Sequence, residues 1–296
     1  IPKKTMPAQD LFFDLLKERA ETGRIYIMNM DHANTHSSFK DKVSMSNLCQ
    51  EITLPTVPIQ HIDDDQGEIA LCILSAINVG SLKDLSELEN LCDISVRALD
   101  QIIDYQDYPV KAAEVSTKAR RSLGIGYIGL AHYLAKNGVK YSDPKAWELV
   151  DRLTEAFQYH LLRASCDLAE EKGKCTGFDR TKYADGLLPI DHYKKEVDDI
   201  VVHKQRMAWE SLRKDIAKYG LRHSTLSAQM PSESSSVVSN ETNGIEPPRA
   251  LLSIKKSKKG PLKQIVPGYP KLKNDYTLLW DMESNEGYIN VVAMMQ

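Results

Sequence analysis

Residues 46–51, SNLCQE, place an amide, a thiol and a carboxylate at alternate positions: Asn47, Cys49 and Glu51. In an extended backbone, residues two apart project to the same face. An extended segment would therefore aim all three side chains at one point. The alternative is an exposed edge on which the polar residues are incidental.

The overall composition is that of an ordinary globular protein. The 296 residues are 42% hydrophobic and 27% charged, enough for one large core or two smaller ones. The 38 basic and 41 acidic residues give a formal net charge of −3, which indicates neither a nucleic-acid partner nor a membrane surface. No apolar run reaches the roughly 20 residues that span a bilayer, and the N-terminal IPKKTMPAQD lacks the apolar stretch of a signal peptide. A cytoplasmic location is therefore expected.

The five cysteines follow no recognisable framework. They lie at positions 49, 72, 92, 166 and 175 and form no CxxC or zinc pattern. An odd number also argues against a disulfide-stapled secreted domain. We expect reduced thiols and no bound metal, with Cys175 in EKGKCTGF at the surface.

Hydrophobic periodicity predicts long helices separated by short extended stretches. The predicted helices are 10–23, 84–105, about 145–172 and about 193–219. The predicted extended stretches are RIYIMN (24–29), LCILSAINVG (71–80) and HSTLSAQ (223–229). No internal repeat or low-complexity linker divides the chain, so residues 1–296 are expected to form one α/β unit. Its extended stretches run into polar loops, where α/β folds keep their sites.

Two of these loops carry candidate chemistry. Cys72 lies 23 residues after Cys49 in an apolar run, where a cysteine is commonly just a small hydrophobe. The second loop is MPSESSSVVSNETNGIEPPR (230–249), with hydroxyls behind a proline and ahead of a probable helical turn. Hydroxyls and free N–H groups there could bind phosphate oxygens, or the loop could simply be solvated. Arg249 is either an anion partner or a surface residue.

Two other motifs are set aside. GIGYIG (124–129) satisfies G-x-G-x-x-G, but no buried strand precedes it and no acidic residue ends a second strand about 20 positions later. A dinucleotide site is therefore not expected. The basic run KKSKKG (255–260) is short and is interpreted as a solvated turn.

Four motifs taken together resemble one family. SNLCQEI, EIALCILSAINVG, MPSESSSVVSNETNGIEPPR and GRIYIMNMDHANTHSSF are similar to segments of the large, catalytic subunit of class I ribonucleotide reductase. The resemblance runs from about residue 8 to 296, in the family's order. It implies a ten-stranded α/β barrel, built as two antiparallel halves of five parallel strands, with a finger loop through its centre and Cys49 near the tip.

The resemblance also implies roles for the candidate residues. Cys49 would become a thiyl radical that takes the 3′ hydrogen of a ribonucleoside diphosphate, Glu51 would accept the 3′-hydroxyl proton, and Asn47 would hold the 2′ side of the ribose. Cys72 would be one member of a redox-active disulfide pair. The residues implied in substrate binding are Asn47, Leu48, Cys49, Gln50, Glu51, Pro231, Ser232, Glu233, Ser234 and Ser235.

Several elements of the family's pattern are not in this sequence. They are the regulatory cone, the sites for nucleotide effectors, the second redox cysteine, the relay tyrosines and the cysteine tail. No cofactor would bind directly, because a metal-containing small (beta) subunit supplies the radical. The expected partners are that subunit, a chain with the N-terminal part of the large subunit, and thioredoxin or glutaredoxin as reductant.

We therefore interpret the chain as the central-to-C-terminal part of a catalytic barrel that does not turn over alone. A split gene and a truncated sequence are equally compatible with this interpretation. Two alternatives stay open: a non-catalytic assembly fragment of the same barrel, and an adenosylcobalamin-dependent relative.

Overall fold

The computed structural model describes residues 3–257 and 260–296. Its α-helices are α1 (Ala8–Thr22), α2 (Met30–His36), α3 (Glu87–Tyr105), α4 (Lys111–Arg120), α5 (Leu130–Lys136), α6 (Pro144–Lys172), α7 (Pro189–His192), α8 (Trp209–Tyr219), α9 (Glu233–Val238) and α10 (Glu286–Met295). Its strands are β1 (Ile73–Asn78), β2 (Leu123–Ile128), β3 (Leu252–Ser257) and β4 (Gly260–Ile265).

Strand β2 is the centre of the parallel layer. It pairs in parallel with β1, from Ile73 opposite Leu123 to Asn78 opposite Ile128. Its other edge receives the segment 225–228, because Ile125 N donates to Leu226 O (2.8 Å) and Ala228 N donates to Ile125 O (3.2 Å). Every residue of β2 is buried, as expected for a parallel strand covered on both faces. The extended stretch predicted around 223–229 is confirmed.

Helices α3 and α6 pack against this layer through their apolar faces, and α8 packs on α6. α3 buries Leu88, Cys92, Val96, Leu99 and Ile103, spaced at three to four residues, against β1 and α6. α8 buries Leu212 and Ile216 in the same core. The predicted helices 84–105 and 145–172 are confirmed, with the first beginning at Glu87. The prediction for 193–219 was only partly right, because the α-helix begins at Trp209 and a short 3₁₀ helix (Lys195–Asp199) precedes it.

The N-terminal region behaves differently. The predicted helix 10–23 is confirmed as α1, which Gly23 ends with a left-handed φ of +65°. No residue of α1 is buried. Residues 24–29 form no strand, contrary to prediction, and lead directly into α2. A second, small core of Phe39, Val43 and Leu54 lies in the region that follows.

The C-terminal region adds the antiparallel hairpin β3–β4, which packs beside α9. From this hairpin, Gln264 of β4 donates through its Nε2 to Glu241 O at a distance of 2.9 Å. Among the helices in the described ranges, none combines the length and apolar character needed to cross a membrane. Nor do the described side chains gather three His, Cys, Asp or Glu residues that could ligate a metal ion.

Candidate active site

The segment that carries Asn47, Cys49 and Glu51 is a tight turn. Gln50 N donates to Asn47 O at 3.1 Å, and Gln50 has a φ of +61°. The predicted extended backbone was therefore wrong at this point: the chain reverses, so alternation does not align the three side chains. A side-chain bond does so for two of them, because Asn47 Nδ2 donates to Glu51 Oε2 at 2.6 Å.

The Asn47 side chain also closes the turn. Its Oδ1 accepts from Ile52 N at 3.1 Å, so both the nitrogen and the oxygen of the side-chain amide form hydrogen bonds within the segment. Cys49 lies at the tip and is exposed, and Leu48 beside it is 78% exposed. The turn thus presents a thiol to its surroundings while the amide fixes the carboxylate next to it.

Cys72 lies immediately before β1 and is half-buried. A Cβ atom on Gly124 of β2 would lie 2.7 Å from Cys72 Sγ, so the sulfur packs against the bare backbone of that glycine. Burial and, to a smaller extent, the negative charge of Glu51 together raise the pKa of the Cys72 thiol to about 12. The Glu51 carboxylate is thus close enough for its charge to act on Cys72, which stays protonated at neutral pH.

One face of β2 connects Cys72 to residues 231–236, which we call the serine-rich turn. Gly124 and Gly126 are two residues apart and share that face. A Cβ on Gly126 would lie 2.4 Å from Ala228 O and 2.7 Å from Met230 Sδ. The GIGYIG sequence is therefore a buried strand whose glycines admit close packing, not a nucleotide-binding loop. Residues 231–235 follow Met230 directly.

The serine-rich turn is held by its own hydrogen bonds. Ser232 is buried, and its Oγ donates to Asn243 Oδ1 (3.2 Å) and accepts from Gly244 N (3.0 Å). Ser236 is also buried and donates to Glu233 O at 3.0 Å. Ser234 and Ser235 are exposed. The buried hydroxyls shape the turn, to which Ser235 Oγ also contributes by donating to Ser232 O at 3.1 Å, whereas Ser234 presents its side chain to the surroundings.

No pattern in the sequence indicated that the β3–β4 hairpin lies beside this turn. Lys255 Nζ of β3 lies 3.2 Å from Glu233 Oε1, so a positive charge borders the serine-rich turn. KKSKKG is therefore not entirely a solvated turn. Lys258 and Lys259 of that run lie outside the described residues.

The remaining cysteines are packing residues. Cys92, Cys166 and Cys175 are all buried, and burial raises the pKa of each, to about 12, 11 and 11. The surface position predicted for Cys175 was wrong: it is 2% exposed and belongs to the main hydrophobic core, and its backbone N–H donates to Leu221 O at 3.0 Å. All five thiols are free.

A Ser–His–Asp arrangement elsewhere is structural. Ser165 Oγ lies 2.9 Å from His223 Nδ1, and His223 Nε2 lies 3.3 Å from Asp100 Oδ1. All three residues are 0% exposed, so no substrate can reach the hydroxyl. Burial opposes ionisation of Asp100, but the hydrogen bond from His223 and the charge of Arg121 outweigh it and hold its pKa well below the usual range. A separate apolar cavity, lined by Thr154, Tyr193, Trp209 and Met294 among others, includes none of the predicted site residues.

The parallel β1–β2 pair and its covering helices define the class as an α/β fold, with Cys72 and the serine-rich turn beside β2. Residues 1–293 match the family model described as ribonucleotide reductase, barrel domain. The chain belongs to this family, which confirms the resemblance drawn from the motifs. The strands in residues 3–257 and 260–296 form two two-stranded sheets and do not by themselves close a barrel.

Curated relatives agree with the family match. The chain is 58% identical over 299 aligned positions to the ribonucleoside-diphosphate reductase subunit alpha of Haemophilus influenzae, covering 100% of this chain and 40% of the relative. It is 53% identical to the ribonucleoside-diphosphate reductase 1 subunit alpha of Escherichia coli and 42% identical to the ribonucleoside-diphosphate reductase subunit alpha of Enterobacteria phage T4, each time covering 100% of this chain and 39% of the relative. The chain thus spans about two fifths of the length of these relatives.

Proposed function

We propose that this chain supplies the thiol-bearing part of the catalytic barrel of a ribonucleoside-diphosphate reductase large subunit. It acts only with the rest of that subunit and with a radical-generating small subunit. The observation that carries the proposal is the turn at 47–51, where an exposed thiol lies between an amide and a carboxylate that hydrogen-bond each other. Thioredoxin or glutaredoxin serves as the external reductant.

The proposed chemistry assigns one step to each group. A thiyl radical on Cys49 takes the 3′ hydrogen of the ribose, and Glu51 accepts the 3′-hydroxyl proton as a general base. Cys72 and a second cysteine, outside this sequence, are then oxidised from two thiols to a disulfide. The two electrons and two protons replace the C2′ hydroxyl by hydrogen and release it as water. The Cys49 radical is regenerated when it returns the 3′ hydrogen.

The high pKa of Cys72 agrees with this role. A protonated thiol delivers hydrogen equivalents, whereas a thiolate would act as a nucleophile. Glu51 and the burial of Cys72 both favour the protonated form. The effect of the Glu51 charge on this thiol supports the redox assignment.

Residues Pro231–Ser235 bind the substrate diphosphate in this proposal. Ser234 and Ser235 offer exposed hydroxyls, while Ser232 holds the turn through Asn243 and Gly244. Hydrogen bonds to charged groups contribute about 1.5–3 kcal/mol each. Leu48 and Gln50 border the ribose from the Cys49 turn.

The direct test is reconstitution. The full-length large subunit that contains this chain is combined with its small subunit and reductant, and the conversion of ribonucleoside diphosphates to deoxyribonucleoside diphosphates is measured. Cys49→Ser should abolish the reaction, since a hydroxyl cannot carry the radical at comparable cost. Cys92→Ala, which changes a buried thiol far from the turn, is the matched control and should retain activity. Substantial product from Cys49→Ser would refute the radical role.

Cys72→Ser separates the redox step from the radical step. The variant should still form a substrate radical, because Cys49 is intact, but should not complete normal turnovers. Rapid-freeze electron paramagnetic resonance detects the first event and product analysis the second. Unaltered multiple turnover by Cys72→Ser would contradict the redox assignment.

A further inference from the structure

Four charged residues lie at the base of the segment that carries the Cys49 turn. We call Asp41, Glu68, Arg120 and Arg180 the base cluster. Asp41 directly precedes the segment 42–67, and Glu68 directly follows it. Arg120 is the last residue of α4, and Arg180 is the last residue of the 3₁₀ helix Phe178–Arg180. The cluster therefore joins both ends of the segment to the body of the fold.

Each arginine bridges the same two carboxylates. Arg120 Nη2 lies 2.9 Å from Asp41 Oδ2 and 2.6 Å from Glu68 Oε2. Arg180 Nε lies 2.8 Å from Asp41 Oδ2, and its Nη1 lies 2.6 Å from Glu68 Oε1. A planar guanidinium with fixed donor directions constrains two carboxylates at once. The distance between the two ends of the segment is thereby set by four charge-assisted contacts.

The cluster is shielded from water on its inner side. The Arg120 side chain is 2% exposed and that of Glu68 is 12% exposed, so solvent screens their interaction only weakly. The Arg120 guanidinium also lies 5.8 Å from the centre of the Phe39 ring. The outer members, Asp41 and Arg180, are 29% and 43% exposed. The ion pair of Arg120 with Glu68 is therefore weakly screened, whereas Asp41 and Arg180 can be substituted without creating a buried unpaired charge.

Backbone bonds fasten each end separately, but to different elements. Lys40 N donates to Arg180 O at 3.0 Å, and Ile69 N donates to Ala112 O of α4 at 3.3 Å. The base cluster is where these two attachments meet. Between them, the segment has a small core at Val43 and Leu54 and leaves the residues at its tip exposed. The position of the tip thus depends on how its base is held.

We propose that the base cluster positions Cys49 for hydrogen abstraction, a role that rests on the proposed function above. None of its members touches the reacting atoms, so they are positioning residues. Hydrogen-atom transfer needs the sulfur within contact distance of the 3′ carbon, and a displacement of about 1 Å can cost on the order of 100-fold in rate. Releasing one carboxylate from one arginine allows the two ends of the segment to shift and moves the thiol.

The test uses the full-length large subunit with its small subunit. Arg180→Met and Asp41→Asn remove the outer members, which avoids leaving the buried Arg120 without any partner. Lys174→Met is the matched control, since it removes an exposed ion pair to Asp179 of the same 3₁₀ helix without touching the cluster. We expect kcat to fall at least 10-fold in both cluster variants, with KM for the ribonucleoside diphosphate within 2-fold. Arg180→Lys should restore only part of kcat, because an ammonium lacks the fork that bridges two carboxylates.

A second readout does not require turnover. The alkylation rate of Cys49 by iodoacetamide, followed by peptide mass spectrometry without substrate or small subunit, should rise several-fold in Arg180→Met and Asp41→Asn and stay constant in Lys174→Met. Unchanged kcat and unchanged alkylation in both cluster variants would overturn the proposal, as would an equal loss of kcat in Lys174→Met. If the rates of alkylation change as expected but the wild-type enzyme reduces no ribonucleoside diphosphate, the proposed function fails and the hold of the cluster on the thiol stands.

Discussion

Asn47 Nδ2 donates to Glu51 Oε2 at 2.6 Å across the turn whose tip is Cys49. The amide thereby keeps the carboxylate beside the thiol. Because a general base contributes about 10²–10⁴-fold, Glu51→Gln should lower kcat by at least 100-fold in the reconstituted enzyme. The glutamine can still accept the Asn47 hydrogen bond, so the turn should persist. KM for the substrate should change by less than 3-fold.

The control for this prediction is Asp65→Asn, which neutralises an exposed carboxylate elsewhere on the same segment. It should leave kcat unchanged. A Glu51→Gln enzyme with wild-type kcat would show that Glu51 does not act as the base.

The five thiols should differ sharply in reactivity. Cys49 is exposed, whereas burial raises the pKa of the Cys72 thiol to about 12. The other three cysteines are buried. With iodoacetamide at pH 8, Cys49 should be modified first and Cys175 only after unfolding. Peptide mass spectrometry over a time course measures the order. Early labelling of Cys175 would contradict its burial in the main hydrophobic core.

The helices were predictable from the sequence because their determinants are local. α3 shows its buried face in the spacing of Leu88, Cys92 and Val96, and α1 shows its end in Gly23. The motifs of the site were also readable, since they are continuous stretches. Periodicity needs no knowledge of distant residues.

The features that the sequence did not reveal depend on distant contacts or on a single backbone angle. The turn at 47–51 requires a positive φ at Gln50, which is uncommon for a residue other than glycine. The neighbouring residues do not predict this conformation. Cys175 is buried in a core that also contains Leu221, 46 positions away. The base cluster joins residues from four separate parts of the chain. None of these contacts leaves a periodic pattern.

Gly126 should be intolerant of a side chain. A Cβ there would lie 2.4 Å from Ala228 O, so Gly126→Ala must push the segment that leads into the serine-rich turn. We expect a loss of about 1–3 kcal/mol in unfolding free energy. In the reconstituted enzyme, KM for the ribonucleoside diphosphate should rise several-fold, because the turn moves with that segment.

Gly138→Ala is the control for the change at Gly126. Gly138 has a φ of +65° but nothing within 4 Å of the added Cβ, so the variant should lose about 1 kcal/mol through backbone strain alone. Its KM should equal that of the wild type. Equal KM values for the two variants would show that packing at Gly126 does not affect substrate binding.

Acid should destabilise the fold through His223. Burial lowers the pKa of this histidine to about 4, against the ordinary value of 6.5. Between these two values the unfolded chain binds a proton that the folded chain does not, so stability rises with pH across this window and is lost as the pH falls. A shift of this size corresponds to about 3 kcal/mol of unfolding free energy. His223→Gln, which cannot titrate, should lose that much less stability than the wild type between pH 6.5 and 4 in urea unfolding. His32→Gln, at an exposed position, is the control and should show the same dependence of unfolding free energy on pH as the wild type. If His223→Gln also showed the wild-type dependence, His223 would accept its proton without cost in the folded state.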